Sequence, residues 1–184
     1  AALRYGGANS KKRLLGAAFS MPPSGPFAFS ATGAIHGFTP QDITMRKKYV
    51  LIAVFNPALT HVVCLTKLRG PSFLIGKTCF VGGQVEASDA SLQDAAAREL
   101  TEEAGLVVAP EAFHAFDFLQ REEAEMTSFA AVSSDLFLAH QCDDEPIFIV
   151  EASLDAVTAP PEQFAPDFAA TLTAALAKLR SAQT

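Results

Sequence analysis

The sequence contains no tryptophan, two tyrosines and only three cysteines among 184 residues. Cys64, Cys79 and Cys142 lie far apart with no C-x-x-C spacing, which argues against a zinc site and against a disulfide framework. Unpaired cysteines are typical of a reducing compartment, so we expect a cytoplasmic protein. No apolar run reaches the roughly 18 residues of a membrane-spanning helix, and we therefore expect no membrane association.

Charge is also scarce: only 18% of the residues are charged, and the formal net charge is −6 at pH 7. Non-specific nucleic-acid binding depends on basic patches, so this balance argues against a nucleic-acid partner. An anionic substrate would need metal cations or a few local lysines and arginines. Hydrophobic residues make up 49% of the chain, which is enough for the core of one globular domain.

The first 44 residues differ from the rest, because they hold four basic residues and no acid before Asp42. The stretch KKRLLGAAF within them fits a basic targeting arm. We favour the other interpretation, a flexible or loosely attached extension rich in Ala, Gly, Ser and Pro. The sequence thus predicts an N-terminal extension over 1–44 and a folded domain over 45–184.

The folded part alternates strand-like and helix-like patterns. Ser91 as N-cap and Gly105 as stop predict a helix over 91–104, and residues 166–180 carry apolar residues at helical spacing. The runs 48–55 and 61–68, separated by the turn NPALT, predict neighbouring strands in a hairpin. Residues 121–126 are predicted to be an acidic loop. Further strands are predicted over 79–81, 113–120, 128–139 and 147–151, which together favour an α+β fold with a mixed sheet.

The predicted helix concentrates charge on one side. Residues three and four positions apart share a helix face, so the carboxylates of Glu99, Glu102 and Glu103 converge, with Arg98 able to pair with Glu102. Mg2+ prefers such oxygen ligands. Gly83 lets the backbone come close and offers its carbonyl as a further ligand. The alternative is an ordinary solvated acidic face, but the combination with Gly-Gly upstream and Gly-Leu downstream is much rarer than its parts.

This stretch resembles the Nudix box, G-x5-E-x7-R-E-U-x-E-E-x-G-U, in which U is a bulky aliphatic residue. Gly83 fills the first position, and RELTEEAGL, from Arg98 to Leu106, matches the second half at every defined site. Asp89 stands in place of the first glutamate, and eight residues rather than seven separate it from Arg98. The resemblance implies a Nudix-type α/β/α sandwich with a mixed β-sheet and a pyrophosphohydrolase that depends on Mg2+, with Mn2+ as a substitute. In such a site Glu99, Glu102, Glu103 and the Gly83 carbonyl hold the cations, and Arg98 orients the acids.

The resemblance leaves the general base open, because that residue varies within the family. Glu103 is one candidate. The segment QCDDEP offers Asp143, Asp144 and Glu145 as alternatives, directly before the last predicted strand. The competing interpretation of this segment is a solvated acidic turn.

Missing signatures narrow the substrate of a Nudix enzyme. In the region after the box that reads FLQREEAEM here (118–126), the chain lacks the proline typical of ADP-ribose hydrolases and the tyrosine of dinucleoside polyphosphate hydrolases. The SQPWPFPxS array of NADH hydrolases is also missing. The signature of coenzyme A hydrolases is missing too. A modified NTP or dNTP remains the leading substrate, with Lys67 and Arg69 at the phosphates and Phe73 stacked on the base, unless Phe73 merely covers the core. Alternatives are a nucleotide-sugar or ADP-ribose-type pyrophosphatase and a non-catalytic nucleotide sensor. Whether the protein is a homodimer stays open.

Overall fold

A mixed β-sheet with helices on its two faces forms the part of the chain that the computed structural model describes, residues 46–158 and 163–183. The predicted extension over 1–44 lies outside these residues. The strands are β1 (Lys47–Phe55), β2 (His61–Thr66), β3 (Thr78–Cys79), β4 (His114–Gln120), β5 (Ala124–Val132) and β6 (Ile147–Glu151). The helices are α1 (Leu92–Ala104), α2 (Leu154–Thr158) and α3 (Phe168–Ala182).

The strand order is β3-β2-β1-β5-β4, with β6 paired to β2. β1 runs parallel to β5 along its whole length, and β2 joins β1 antiparallel at the pair Phe55↔Val62, which confirms the predicted hairpin. On its β2 side the first half of β1 pairs with a different segment. The Val50 amide donates to the Gly83 carbonyl (2.9 Å) and the Ile52 amide donates to the Val81 carbonyl (2.8 Å). These bonds hold the glycine turn beside the middle of the sheet.

Alternation along β1 builds two cores, one on each face of the sheet. Ile52 packs with the α1 side chains, including Leu100. Ala53, the next residue, packs on the opposite face with the α3 side chains, including Leu172. The architecture is therefore an α/β/α sandwich with a mixed sheet, as the sequence predicted.

Both predicted helices are present. The Ser91 hydroxyl accepts a hydrogen bond from the Asp94 amide (3.1 Å) at the start of α1. Gly105 ends the helix in the left-handed conformation with φ 65°, and its amide bonds to the Thr101 carbonyl. The predicted apolar face of α3 is buried against the sheet and comprises Phe168, Leu172, Leu176 and Leu179.

The predicted strand over 128–139 was wrong at both ends, because β5 begins at Ala124 and ends at Val132. Glu125 and its neighbours belong to this strand rather than to a loop, and Glu125 lies opposite Lys48 of β1. Acidic residues are tolerated there because the outer end of β5 is only partly buried. The apolar run after Val132 is a 3₁₀ turn, which buries Leu136. Helix α2 was not predicted, because its five residues are too short to show a periodic pattern.

Candidate active site

Two carboxylates of α1 lie against the glycine turn. The Gly82 amide donates a hydrogen bond to Glu103 Oε2 (3.1 Å). The Glu99 carboxylate fills the space beside Gly83, where a Cβ would overlap it. Both side chains are mostly buried, with exposed fractions of 12% for Glu99 and 14% for Glu103. The glycine pair thus allows the backbone to approach two acids that larger residues would push away.

A single guanidinium holds the acids of this region together. Arg98 Nη1 donates to Glu99 Oε1 (3.0 Å) and to Glu102 Oε2 (2.8 Å). Its Nε and Nη2 bind the two Asp89 oxygens, each at 3.0 Å, and Nη2 also donates to the Gln84 carbonyl (3.1 Å). The planar, forked shape of arginine makes this multiple pairing possible. The i,i+4 pair with Glu102 is the one that the helix spacing predicted.

Asp89 reaches Arg98 although eight residues separate the two positions, one more than in the family pattern. A tight turn just before Asp89 fixes its carboxylate: the Glu86 amide donates to Asp89 Oδ2 (2.8 Å), and the Asp89 amide donates to the Glu86 carbonyl (3.2 Å). Hydrogen bonds from Arg98 hold the pKa of Asp89 below its usual range, and they outweigh the opposing effect of burial. The shorter acid therefore serves as a structural partner of Arg98.

We expect Asp89→Asn to destabilise the protein by about 2 kcal/mol at pH 7, because a mostly buried guanidinium loses its charged acceptor. A depressed folded pKa stabilises the protein above the unfolded pKa of about 3.9, and this stabilisation is lost as the pH falls through the folded value. The gap between wild type and Asp89→Asn should therefore close in acid. Urea unfolding at several pH values measures it, with the exposed Asp155→Asn as control. A gap that stays constant down to about pH 2 would contradict this role.

Burial raises the pKa of both acids at the glycine turn, Glu99 and Glu103. It raises the pKa of Glu103 to about 7, against the opposing effects of the Gly82 amide and the Lys67 ammonium. Burial also raises the pKa of Glu99, partly offset by Arg98. A cation between such groups would favour their ionised forms. These carboxylates therefore offer the hard oxygen ligands that Mg2+ prefers.

The third acid of the predicted metal set is placed differently. The Glu102 side chain is 59% exposed and points to Arg98. Within the described ranges, no three His, Cys, Asp or Glu side chains are arranged as a preformed metal site. The carboxylate oxygens suit a divalent cation, but hydrogen bonds from Arg98 and Gly82 set the positions of these side chains.

The Gly83 carbonyl, which the sequence analysis assigned to the metal, accepts a hydrogen bond from the Val50 amide (2.9 Å). Gly82 received no role from the sequence, although it contacts Glu103 directly. Its φ is 154°, and a Cβ there would overlap the Val50 carbonyl oxygen. The signal that could have identified Gly82 is the glycine pair itself, because each glycine allows a different close contact. Gly82 lies against the Val50 carbonyl and Gly83 lies against the Glu99 carboxylate.

Gly83→Ala should lower turnover about a hundredfold, because the added methyl group displaces the Glu99 carboxylate by roughly an ångström. The carboxylate is on a flexible side chain, so the fold should lose only about 1 kcal/mol. Steady-state kinetics and thermal unfolding of the same preparation separate the two effects. Full activity in this variant would show that the position of Glu99 is irrelevant to the reaction.

The residues predicted to bind substrate lie beside those predicted as alternative bases. Lys67 Nζ is 2.8 Å from Glu145 Oε2 and 3.9 Å from Glu103 Oε1. Arg69 Nη2 is 2.7 Å from Asp143 Oδ2. The structure therefore places Lys67 between an acid of α1 and an acid of the segment before β6.

The acids of that segment differ sharply in environment. Asp144 is 80% exposed, which fits the interpretation as a solvated turn. Glu145 is buried and contradicts it, because its side chain is only 5% exposed. Burial opposes ionisation of Glu145, but hydrogen bonds from Lys67 and from the Leu68 and Arg69 amides outweigh burial and lower its pKa.

Phe73, the predicted base-stacking residue, is 62% exposed and so does not cover the core. It lies in a segment with Leu68 and Ile75, which are also exposed, whereas Leu74 packs on the core. An exposed apolar group in the segment that follows Lys67 and Arg69 in the chain is available to a ligand.

Comparison with known proteins gives one family and several related folds. The family model described as NUDIX domain matches residues 45–179. A MutT structure from work on Aliivibrio salmonicida and Vibrio cholerae is 21% identical, with TM-score 0.56 over 72% of this chain and 98% of that chain. A bifunctional NMN adenylyltransferase/ADP ribose pyrophosphatase from Francisella tularensis, complexed with AMP and a Mn ion, is 18% identical, with TM-score 0.57 over 72% of this chain and 41% of that chain.

A MutT/nudix family protein from Enterococcus faecalis is 18% identical, with TM-score 0.48 over 58% of this chain and 44% of that chain. The present chain thus spans less than half the length of the Enterococcus and Francisella proteins. No curated protein sequence matches it significantly. At these identities the MutT and Francisella structures show the fold.

Proposed function

The chain belongs to the Nudix hydrolase family, and we propose that it cleaves the pyrophosphate linkage of a modified NTP or dNTP with the help of a divalent cation. One observation carries this proposal: Glu99 and Glu103 are buried against the glycine turn and keep their carboxylates beside Gly82 and Gly83. A solvated acidic face would leave these side chains in water. Their burial at a point of close backbone approach supports a catalytic role.

Glu99, Glu102, Glu103 and the Gly83 carbonyl would hold Mg2+, or Mn2+ in its place. The cation supplies charge neutralisation at the pyrophosphate and Lewis acidity. Arg98, which donates to Glu99 and Glu102, would orient these acids rather than contact substrate.

Glu103 is the candidate acceptor for the proton of the attacking water, because its carboxylate lies beside the glycine turn and faces the Lys67 ammonium. Lys67 and Arg69 provide positive charge for the phosphates. Phe73 provides an exposed ring on which a base can stack.

Two other functions are compatible with the same site. An ADP-ribose-type or nucleotide-sugar pyrophosphatase is favoured by the similarity to the Francisella protein, whose structure contains AMP and Mn. A non-catalytic sensor would bind a nucleotide without cleaving it. The buried carboxylate pair argues against the sensor, because nucleotide binding alone gains nothing from burying acids next to phosphate.

The test is product analysis over a panel of standard and oxidised dNTPs, NTPs, ADP-ribose and nucleotide sugars, with Mg2+ and separately with Mn2+. We expect pyrophosphate and a nucleoside monophosphate from one triphosphate, and no product in the presence of EDTA. Two monophosphate-containing products from ADP-ribose or a sugar nucleotide would favour the first alternative. Tight nucleotide binding without any product would favour the sensor.

Location and assembly remain predictions. The three cysteines are free, with Cys64 and Cys79 buried, as a reducing cytoplasmic compartment would allow. In the described ranges no helix has the length and apolar character needed to cross a membrane. A homodimer is a further proposal, testable by light scattering.

A further inference from the structure

We propose that Glu145 is a positioning residue: it holds the segment Lys67–Arg69 in place, so that Lys67 faces Glu103 and the phosphates of the substrate. This inference rests on the proposed function for its consequence, but its structural part is independent of any reaction. It gives Glu145 a different role from that of a general base.

Three hydrogen bonds fix Glu145 to this segment. Oε2 accepts from Lys67 Nζ (2.8 Å), and Oε1 accepts from the backbone amides of Leu68 (2.8 Å) and Arg69 (3.2 Å). The two bonds from backbone amides fix the path of the chain, and the bond from the ammonium fixes the direction of the Lys67 side chain. Because the carboxylate is buried, water competes poorly for these bonds.

The segment that carries Glu145 is itself anchored to the end of α1. The His140 amide donates to the Ala104 carbonyl (3.0 Å), and the Cys142 amide donates to the Glu103 carbonyl (3.2 Å). The His140 ring fits there because Gly105 has no Cβ, which would overlap it. The segment His140–Glu145 therefore connects the helix that bears the carboxylates to the segment that bears Lys67.

A second ion pair reinforces this connection at the surface, where Arg69 Nη2 contacts Asp143 Oδ2 (2.7 Å). That pair is exposed to solvent, which screens it, so it contributes little. The buried Glu145 is the main anchor. A general base needs an oxygen open to water, whereas both oxygens of Glu145 are engaged by protein donors.

Hydrogen exchange tests the anchor without requiring any activity. In Glu145→Ala the amides of Leu68 and Arg69 lose their acceptor, so they should exchange at least about tenfold faster than in wild type. Glu145→Gln keeps an oxygen for these amides and should remain close to wild type. Glu151→Gln, at the exposed end of β6, is the matched control. Unchanged exchange at both amides in Glu145→Ala would overturn the proposal.

Titration with inorganic pyrophosphate and Mg2+ tests the consequence for phosphate binding. Removing a negative charge favours anion binding, whereas losing the position of Lys67 weakens it, so the sign of the change is informative. We expect Glu145→Ala to bind pyrophosphate about tenfold more weakly than wild type. Tighter binding would show that Glu145 only competes for Lys67, and this would overturn the proposal.

A double variant shows whether the effect passes through Lys67. In a Lys67→Met background, Glu145→Ala should cause little further loss of pyrophosphate affinity, because the group that it positions is gone. An undiminished loss in that background would contradict the positioning role. If the nucleotide panel shows no turnover while exchange and pyrophosphate binding change as expected, the proposed reaction fails and the positioning role stands.

Discussion

Replacing Glu103 with Gln is expected to lower turnover about a thousandfold, since the site loses a metal-binding charge and a proton acceptor together. The substitution keeps the size of the side chain and an oxygen for the Gly82 amide. The melting temperature should therefore change by less than about 4 °C. Nucleotide affinity measured without turnover should fall far less than the rate.

Glu111→Gln is the matched control, because Glu111 is exposed and lies in the 3₁₀ turn after α1. It should retain the wild-type rate. If Glu103→Gln unfolded at the same temperature as wild type and kept full turnover, Glu103 could not be part of the reaction. Loss of rate accompanied by a large fall in melting temperature would instead indicate a structural role for this acid.

Arg98→Lys is expected to have the largest effect on stability, about 3–5 kcal/mol, because it strands buried acids. Asp89 is 5% exposed and Glu99 is 12% exposed, and each depends on the guanidinium for pairing. A lysine ammonium keeps the charge but cannot reach Asp89, Glu99 and Glu102 at once. Arg98→Lys should therefore be destabilised even though it keeps the positive charge.

Chemical denaturation of Arg98→Lys and of the exposed control Arg180→Lys measures this effect. In the double variant Arg98→Met, Asp89→Asn the stranded charge of Asp89 is removed. The double variant should therefore be destabilised by less than the sum of the effects of Arg98→Met alone and Asp89→Asn alone. Additive effects would mean that Arg98 and Asp89 do not stabilise each other.

Features set by neighbouring residues were the ones that the sequence predicted well. Ser91 and Gly105 bound α1 because capping depends on a few adjacent residues. The same holds for the convergence of Glu99 and Glu103, which follows from helical spacing. The family pattern then located the glycine turn opposite these acids.

Long-range pairing decided what the sequence did not show. Glu145 and Asp144 are neighbours in an acidic stretch, yet Glu145 is buried and Asp144 is exposed. Glu145 is buried because it pairs with Lys67, which lies 78 positions away in the sequence. The start of β5 at Ala124 likewise depends on its pairing with β1, which tolerates Glu125 opposite Lys48. No local signal in the acidic segment distinguishes these outcomes.

The most direct test of the central claim is calorimetric titration with Mn2+ of wild type and of the double variant Glu99→Gln, Glu103→Gln, with Glu111→Gln as control. We predict a cation site in wild type and in the control, and at least about a hundredfold weaker binding in the double variant. Equal affinity in all three proteins would contradict the claim that the acids beside Gly82 and Gly83 hold the cation.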